Sequence, residues 1–214
     1  MFQDINNNQQ DIKPIALTWS EFSSFKEDRD AWARAYILGF RDKPNHYMVR
    51  GTFLHEALFT GERKEESTKF TPDQIRVHDR ILKEGKKIMD EGWEHEKKIE
   101  YDWFDVPLKG YLDGWKSGEI LEFKTGGQLW TEERVAEHGQ LVFYSMLCEM
   151  AEIPSFTAKL LSASTQSGKC AMFQRTITRY EINSLKDEIM DVVGFMKNEG
   201  LWNKRLPRDQ RIEV

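Results

Sequence analysis

Three residues near the middle of the chain carry the first chemical signal: Asp113, Glu122 and Lys124. They lie in Gly110-Tyr111-Leu112-Asp113-Gly114-Trp115-Lys116-Ser117-Gly118-Glu119-Ile120-Leu121-Glu122-Phe123-Lys124. This reads as two short strands joined across Ser117-Gly118, a pair suited to a two-residue hairpin turn. Counting outward from that turn in equal steps sets Asp113 opposite Glu122, with Cβ atoms ~4.5–5.5 Å apart. Side chains alternate along a strand, so Lys124 shares a face with Glu122 while Leu121 and Phe123 point the other way. Two opposed carboxylates repel unless a proton or a cation neutralises them. Oxygen donors with room for water suit a hard divalent ion such as Mg2+ or Mn2+. An amine beside that ion is placed to orient or deprotonate a water, or to neutralise charge developing on a phosphoryl group. The same spacing also describes a solvated Asp/Glu/Lys cluster on an exposed sheet face.

The surrounding pattern supplies the elements that must hold this ribbon. Ser20 caps a helix that carries Phe22, Phe25, Trp32 and Tyr36 and runs to near Gly39, with the charged run 26–30 on its solvated face. Residues 44–50 break the pattern, a short apolar helix starts at Gly51, and 61–69 is a charged loop. Thr71-Pro72-Asp73 opens a third helix in the order cap, first-turn proline, acid. Strand-like runs follow at 98–104, 106–115 and 119–124, with Pro107 marking an edge or bulge. Thr131 opens one long helix to about Met150, closed by Pro154; on it Gln140 and Tyr144 sit one turn apart on one face. Two more strands, 155–163 and 169–178, flank the turn at 165–168, and a last helix spans 181–198. The order predicts a single α/β domain over residues 18–214, with a mixed sheet of about five strands flanked by helices. Residues 1–17, polar and aperiodic in their first dozen, read as a flexible tail.

Composition removes several classes. The chain has 214 residues, 39% hydrophobic and only six Pro, which excludes disordered and collagen-like architectures. No apolar run approaches the ~20 residues of a bilayer span, and the start lacks a signal-peptide layout. A cytoplasmic protein with no membrane partner is the expectation. Two cysteines cannot build a disulfide framework, a four-Cys zinc site or a cysteine-ligated iron–sulfur cluster. With 31 Lys plus Arg against 36 Asp plus Glu, the net charge of −5 is unlike that of a protein held to duplex DNA by a basic excess. Any DNA binding must rest on local basic patches and bound cations.

Several segments, taken in order, resemble the PD-(D/E)XK nuclease superfamily, and within it the RecB-type exonuclease branch that includes CRISPR-associated and phage recombination nucleases. Gly51-Thr52-Phe53-Leu54-His55-Glu56-Ala57-Leu58 looks like the branch's first motif, with His55 in the histidine position. Glu100 followed by Gly110-Tyr111-Leu112-Asp113 resembles the acid-bearing strand pair, and Glu122-Phe123-Lys124 the Glu-x-Lys motif. Gln140-Leu141-Val142-Phe143-Tyr144 is similar to the Gln-x-x-x-Tyr motif. The likeness covers residues 18 to 150 and is weaker beyond.

This resemblance implies a restriction-endonuclease-like fold and a metal-dependent DNA exonuclease. Asp113, Glu122, the Phe123 carbonyl and His55 would hold Mg2+ or Mn2+, and Lys124 would be the catalytic lysine. Gln140 and Tyr144 would position the scissile strand or hold Lys124, with Glu100 a supporting acid. Relatives that hold an iron–sulfur cluster use four cysteines; Cys148 and Cys170 lie elsewhere, so no cluster is expected, and Trp19, Trp32 and Trp202 are candidates to pack its place. The implied partner is DNA with a free end, in recombination, repair or phage genome processing, together with a homo-oligomer or a recombination protein. Trp115 and Trp130 are candidates to stack on bases, and Lys204, Arg205, Arg208 and Arg211 to track phosphates. A structure-specific endonuclease and a catalytically idle binding relative remain as rival readings.

Overall fold

A computed structural model describes residues 15–63, 66–89, 92–153 and 157–214. The expected tail at 1–14, the helix stop at Pro154 and the strand start at 155 lie outside the described residues. The N-terminal helical region is two helices rather than one. Thr18, not Ser20, caps α1 (Trp19–Glu27), and Asp28 then takes an extended backbone and caps α2 (Arg29–Tyr36) through the Asp30 and Ala31 amides. The charged run read as a solvated face therefore contains a helix break, because an aspartate can satisfy the first amides of a new helix. β1 (Phe40–Arg41) follows.

Asn45 caps α3 (His46–Thr60), so the segment expected as a break is the first turn of the helix that carries His55. The expected charged loop includes a short helical turn, α4 (Glu66–Lys69). α5 (Pro72–Ile88) starts as predicted, with a complete Thr71–Gln74 capping box. β2 (Glu94–Trp103), β3 (Val106–Lys116) and β4 (Glu119–Gly126) form the meander. The helix expected over 131–150 is split into α6 (Glu132–Ala136) and α7 (Gly139–Met150). Arg175 stabilises the break by donating to the Val135 and His138 carbonyls. β5 (Thr157–Ser164), β6 (Cys170–Arg175), α8 (Arg179–Asn198) and β7 (Ile212–Glu213) complete the chain.

The main sheet has five strands in the order β2-β3-β4-β5-β6; β4 and β5 are parallel and the other pairs antiparallel. This is the mixed, helix-flanked α/β sheet expected from the sequence. A second, two-stranded parallel pair, β1 with β7, was not foreseen. One sheet face packs against α1, α2, α7 and α8 through residues such as Leu108, Leu112, Ile120, Phe143 and Ile189. The other packs against α3 and α5 through Leu54, Ile81, Leu121, Phe123 and Leu161. Leu17, counted in the tail, is fully buried and bridges Leu108, with its amide donating to the Pro107 carbonyl. The start of β3 is thus an edge closed by the N-terminal segment, which is the setting a strand proline tolerates. Among the described residues no helix is long and apolar enough to cross a membrane.

Candidate active site

The β3–β4 hairpin has the predicted turn. Ser117 and Gly118 both have positive φ, 46° and 89°, the backbone that a tight hairpin turn of this hand requires. The predicted register holds for the three pairs next to it, Lys116↔Glu119, Trp115↔Ile120 and Gly114↔Leu121. It stops one step short of the expected Asp113–Glu122 pair. Instead the Asp113 carboxylate turns to the next strand position and accepts the Phe123 amide at 2.7 Å.

The cause is a kink across two strands. Leu108 and Leu112 face α7, so Gly114 should too; yet a side chain at Gly114 would meet Phe59 and Trp93, on the opposite face. The alternation therefore slips at Asp113. The same slip occurs in β2: Ile99 faces the α7 side, whereas His95 stacks on Phe59, with Glu96 between them at φ 53°. Glu96 and Asp113 sit opposite each other in a register that pairs His95 with Gly114 and Lys97 with Leu112, and backbone pairing skips both. The site is built where the sheet breaks its own period.

Around this kink the predicted residues meet. Lys124 Nζ lies 2.5 Å from Glu122 Oε1 and donates to Gln140 Oε1 at 2.9 Å; Gln140 Nε2 donates to the Tyr144 hydroxyl at 2.7 Å. Strand alternation puts Glu122 and Lys124 together, and the helical repeat puts Gln140 and Tyr144 together. Gly110 makes room for this helix: a Cβ there would come within 3.0 Å of the Tyr144 ring and 2.8 Å of Leu147. On the other side, α3 brings His55 Nε2 to 3.1 Å from Asp113 Oδ1.

Burial makes the charges matter. Glu122 is buried, and desolvation together with the Asp113 charge pushes its carboxyl pKa up to about 8, against the lowering pull of Lys124 and His55. Burial opposes the imidazolium of His55, yet the Asp113 carboxylate beside it more than compensates and raises its pKa. Burial, reinforced by Glu122, also raises the Tyr144 phenol, which stays protonated.

These residues fit a divalent cation on an observation of their own. Glu122 Oε2 is buried without a hydrogen-bond partner, and His55 Nε2, although near Asp113, has no well-directed hydrogen bond. A buried acceptor left open beside a second carboxylate is a donor set for a hard cation.

The other predicted residues divide. Glu100 is half exposed, pairs with Lys98 and Lys109, and stands apart from the hydrogen-bonded group. Trp115 packs in the core with Lys97 over its ring, and Trp130 packs against His138 and Arg134. Arg205 is a correction. Its guanidinium is buried, stacks on Trp202 at 3.6 Å, and donates to Glu21, the Trp202 carbonyl and the Ile15 carbonyl, so it has no free face for phosphate. Arg208 and Arg211 instead line a cavity of about 940 Å³ that Lys124, Gln140 and Tyr144 also line. Lys204 is exposed and lies off that cavity. Trp32 and Trp202 are buried and Trp19 is partly buried, all in the core beside α7 and α8.

Sequence reasoning missed Arg41, Lys109 and Tyr111, which also line the cavity. His95, for which the sequence offers no partner at metal-ligand spacing, packs its ring on Phe59 with its centroid 5.1 Å from that of His55. The only available signal for His95 was register from the hairpin, and the kink lies beyond the reach of that count.

No protein-family model matches the chain, and no curated protein matches it. Among solved structures, the chain is similar to a crystal structure of a protein from Eubacterium rectale bearing the name "Putative exonuclease", with a TM-score of 0.63, 12% identity, and coverage of 94% of this chain and 88% of that one. A more distant likeness, to SSO0001, has a TM-score of 0.32 at 10% identity over 80% and 82% of the two chains, and carries no argument. At this identity the first likeness establishes a shared fold, a five-stranded mixed sheet between two helical layers.

Proposed function

We propose that this protein is a Mg2+- or Mn2+-dependent deoxyribonuclease that hydrolyses phosphodiester bonds from a free DNA end, without sequence preference. The observation that carries the reading is Lys124. Its ammonium is held between Glu122 and Gln140 and lines a cavity that Arg41, Lys109, Arg208 and Arg211 also line. The name borne by the Eubacterium rectale protein supports the same class of activity.

Asp113, Glu122, the Phe123 carbonyl and His55 would hold the cation, which when bound supplies positive charge for the phosphoryl and leaving oxygens. The chain's own groups do the rest. Asp113 is anchored by the Phe123 amide, so its carboxylate is set before any ligand arrives. Lys124 orients the attacking water and offsets charge building on the phosphate. Gln140 fixes the lysine, and Tyr144 fixes Gln140. The basic residues of the cavity bring phosphates to this site, which lets a chain of net charge −5 bind a polyanion. Recombination, repair or phage genome processing is the corresponding setting, with a homo-oligomer or a recombination protein as partner.

End-labelled linear DNA tests this. Label should be lost only when Mg2+ or Mn2+ is present, and Lys124→Ala and Glu122→Gln should each remove the activity. A covalently closed single-stranded circle should survive; its cutting would replace the exonuclease reading with an endonuclease one. Retained cleavage in both variants would sink the proposal, and DNA binding without any cleavage would leave the idle relative.

A further inference from the structure

His55, His95 and Glu96 each offer one ligand atom, and these atoms all lie within 4.8 Å of one another. Neighbouring residues of a regular strand point to opposite faces, so His95 and Glu96 should not reach one place. They do so because Glu96 has a left-handed backbone, uncommon for a residue with a side chain, at the point where pairing with β3 is skipped. The His95 ring is held at this place by Phe59, stacked on it at 4.7 Å and 11°. Its Nε2 is nevertheless buried and without a hydrogen-bond partner, as is that of His55. A buried imidazole nitrogen left open beside a second one and a carboxylate lacks what a metal ion supplies.

We propose that His55, His95 and Glu96 form a nitrogen-rich site for a divalent transition-metal ion, next to the carboxylate pair Asp113 and Glu122. Two imidazoles and one carboxylate suit Zn2+, Co2+, Mn2+ or Fe2+, and suit Mg2+ poorly, since Mg2+ prefers oxygen and water. His55 stands between the two positions, its Nε2 3.1 Å from Asp113 and its ring 5.1 Å from that of His95, and its one Nε2 lone pair serves one ion at a time. The centre therefore offers His55 to either a hard, oxygen-rich position or a softer, nitrogen-rich one. The selectivity comes from donor type, and it does not depend on the chain being a nuclease.

Co2+ is the probe, because its visible absorption strengthens when protein ligands replace its octahedral shell of water and lower its coordination number. The metal-free, full-length protein is titrated with Co2+ in excess Mg2+, which competes for oxygen donors. One equivalent should remain bound with visible absorption, and His95→Ala and Glu96→Gln should each weaken it at least about tenfold. Displacement of all Co2+ by Mg2+, or parental Co2+ affinity in Glu96→Gln, overturns the site. Glu96 is exposed, so Glu96→Gln tests the idea even if His95→Ala does not fold. DNA cleavage by Glu122→Gln reads separately: its persistence would remove the nuclease reading and leave the Co2+ result standing.

Discussion

Two glutamates, Glu21 and Glu122, are equally buried, each 2% exposed, yet their surroundings differ. Glu21 on α1 meets Arg205, whose three donor nitrogens all have acceptors and whose plane lies on Trp202. Glu122 on β4 has Lys124 on one oxygen and nothing on the other. Burial raises the pKa of both, outweighing Arg205 in one case and Lys124 in the other. A satisfied buried ion pair ties the C-terminal segment to the first helix across 184 residues of chain. An unsatisfied one is a place prepared for something else. Burial alone does not separate structural from functional acids; the count of open acceptors does.

Substitution should sharpen this contrast, and the largest effect is on catalysis. Glu122→Gln should lower DNA cleavage by about a thousandfold or more, with stability changed by less than about 1 kcal/mol, since the carboxyl, pushed up to about 8, is already largely neutral at pH 7. Glu21→Gln should do the reverse. It leaves Arg205 buried without a counter-charge and should cost about 3 kcal/mol in denaturant unfolding, with little change in activity per folded molecule. Equal loss of activity in both variants would erase the distinction.

A titration at a half-buried group gives a smaller effect. Burial, with the charges of Lys124, Arg134 and Arg175, holds His138 down at about 4, against 6.5 for a free imidazole. The folded state thus binds fewer protons than the unfolded chain between those values. Stability is complete above about pH 6.5 and declines as pH falls toward about 4, by about 2–3 kcal/mol. His138→Asn should flatten that part of the pH–stability curve.

Cation affinity should follow Glu122. Since its proton must leave before a cation binds, affinity for Mg2+ should rise from pH 6 to pH 8, by up to about tenfold per pH unit. Calorimetry at three pH values checks it, and a flat profile would mean that Glu122 is not a ligand. The smallest effect concerns the cavity rim. Arg208→Gln with Arg211→Gln should reduce the salt dependence of single-stranded DNA binding by about 0.7 in log–log slope per lost phosphate contact. Lys204→Gln, off the cavity, should leave it unchanged.

Much of the centre was legible before any fold was known. Glu122 with Lys124 follows from strand alternation, and Gln140 with Tyr144 from the helical repeat; both hold because they depend on neighbours two and four residues away. Asp113 was identified but misplaced, since equal counting from the turn assumes an unbroken ladder and β3 slips there. The single helices expected at 20–39 and 131–150 failed for a related reason. Asp28 and Arg175 satisfy backbone groups at the breaks, and the Arg175 contact spans 37 and 40 residues.

Sequence alone determined the turn at Ser117-Gly118, the capped start of α5, the alternation that pairs an acid with an amine, and the five strands of the main sheet along the chain. These are governed by torsional preference and short-range periodicity, which the local chain carries with it. Only the tertiary structure decided which arginine of the C-terminal segment is buried, where Asp113 turns, and that His95 and Glu96 come beside His55. Those outcomes depend on which distant surfaces exclude water from one another, and no count along the chain contains that information.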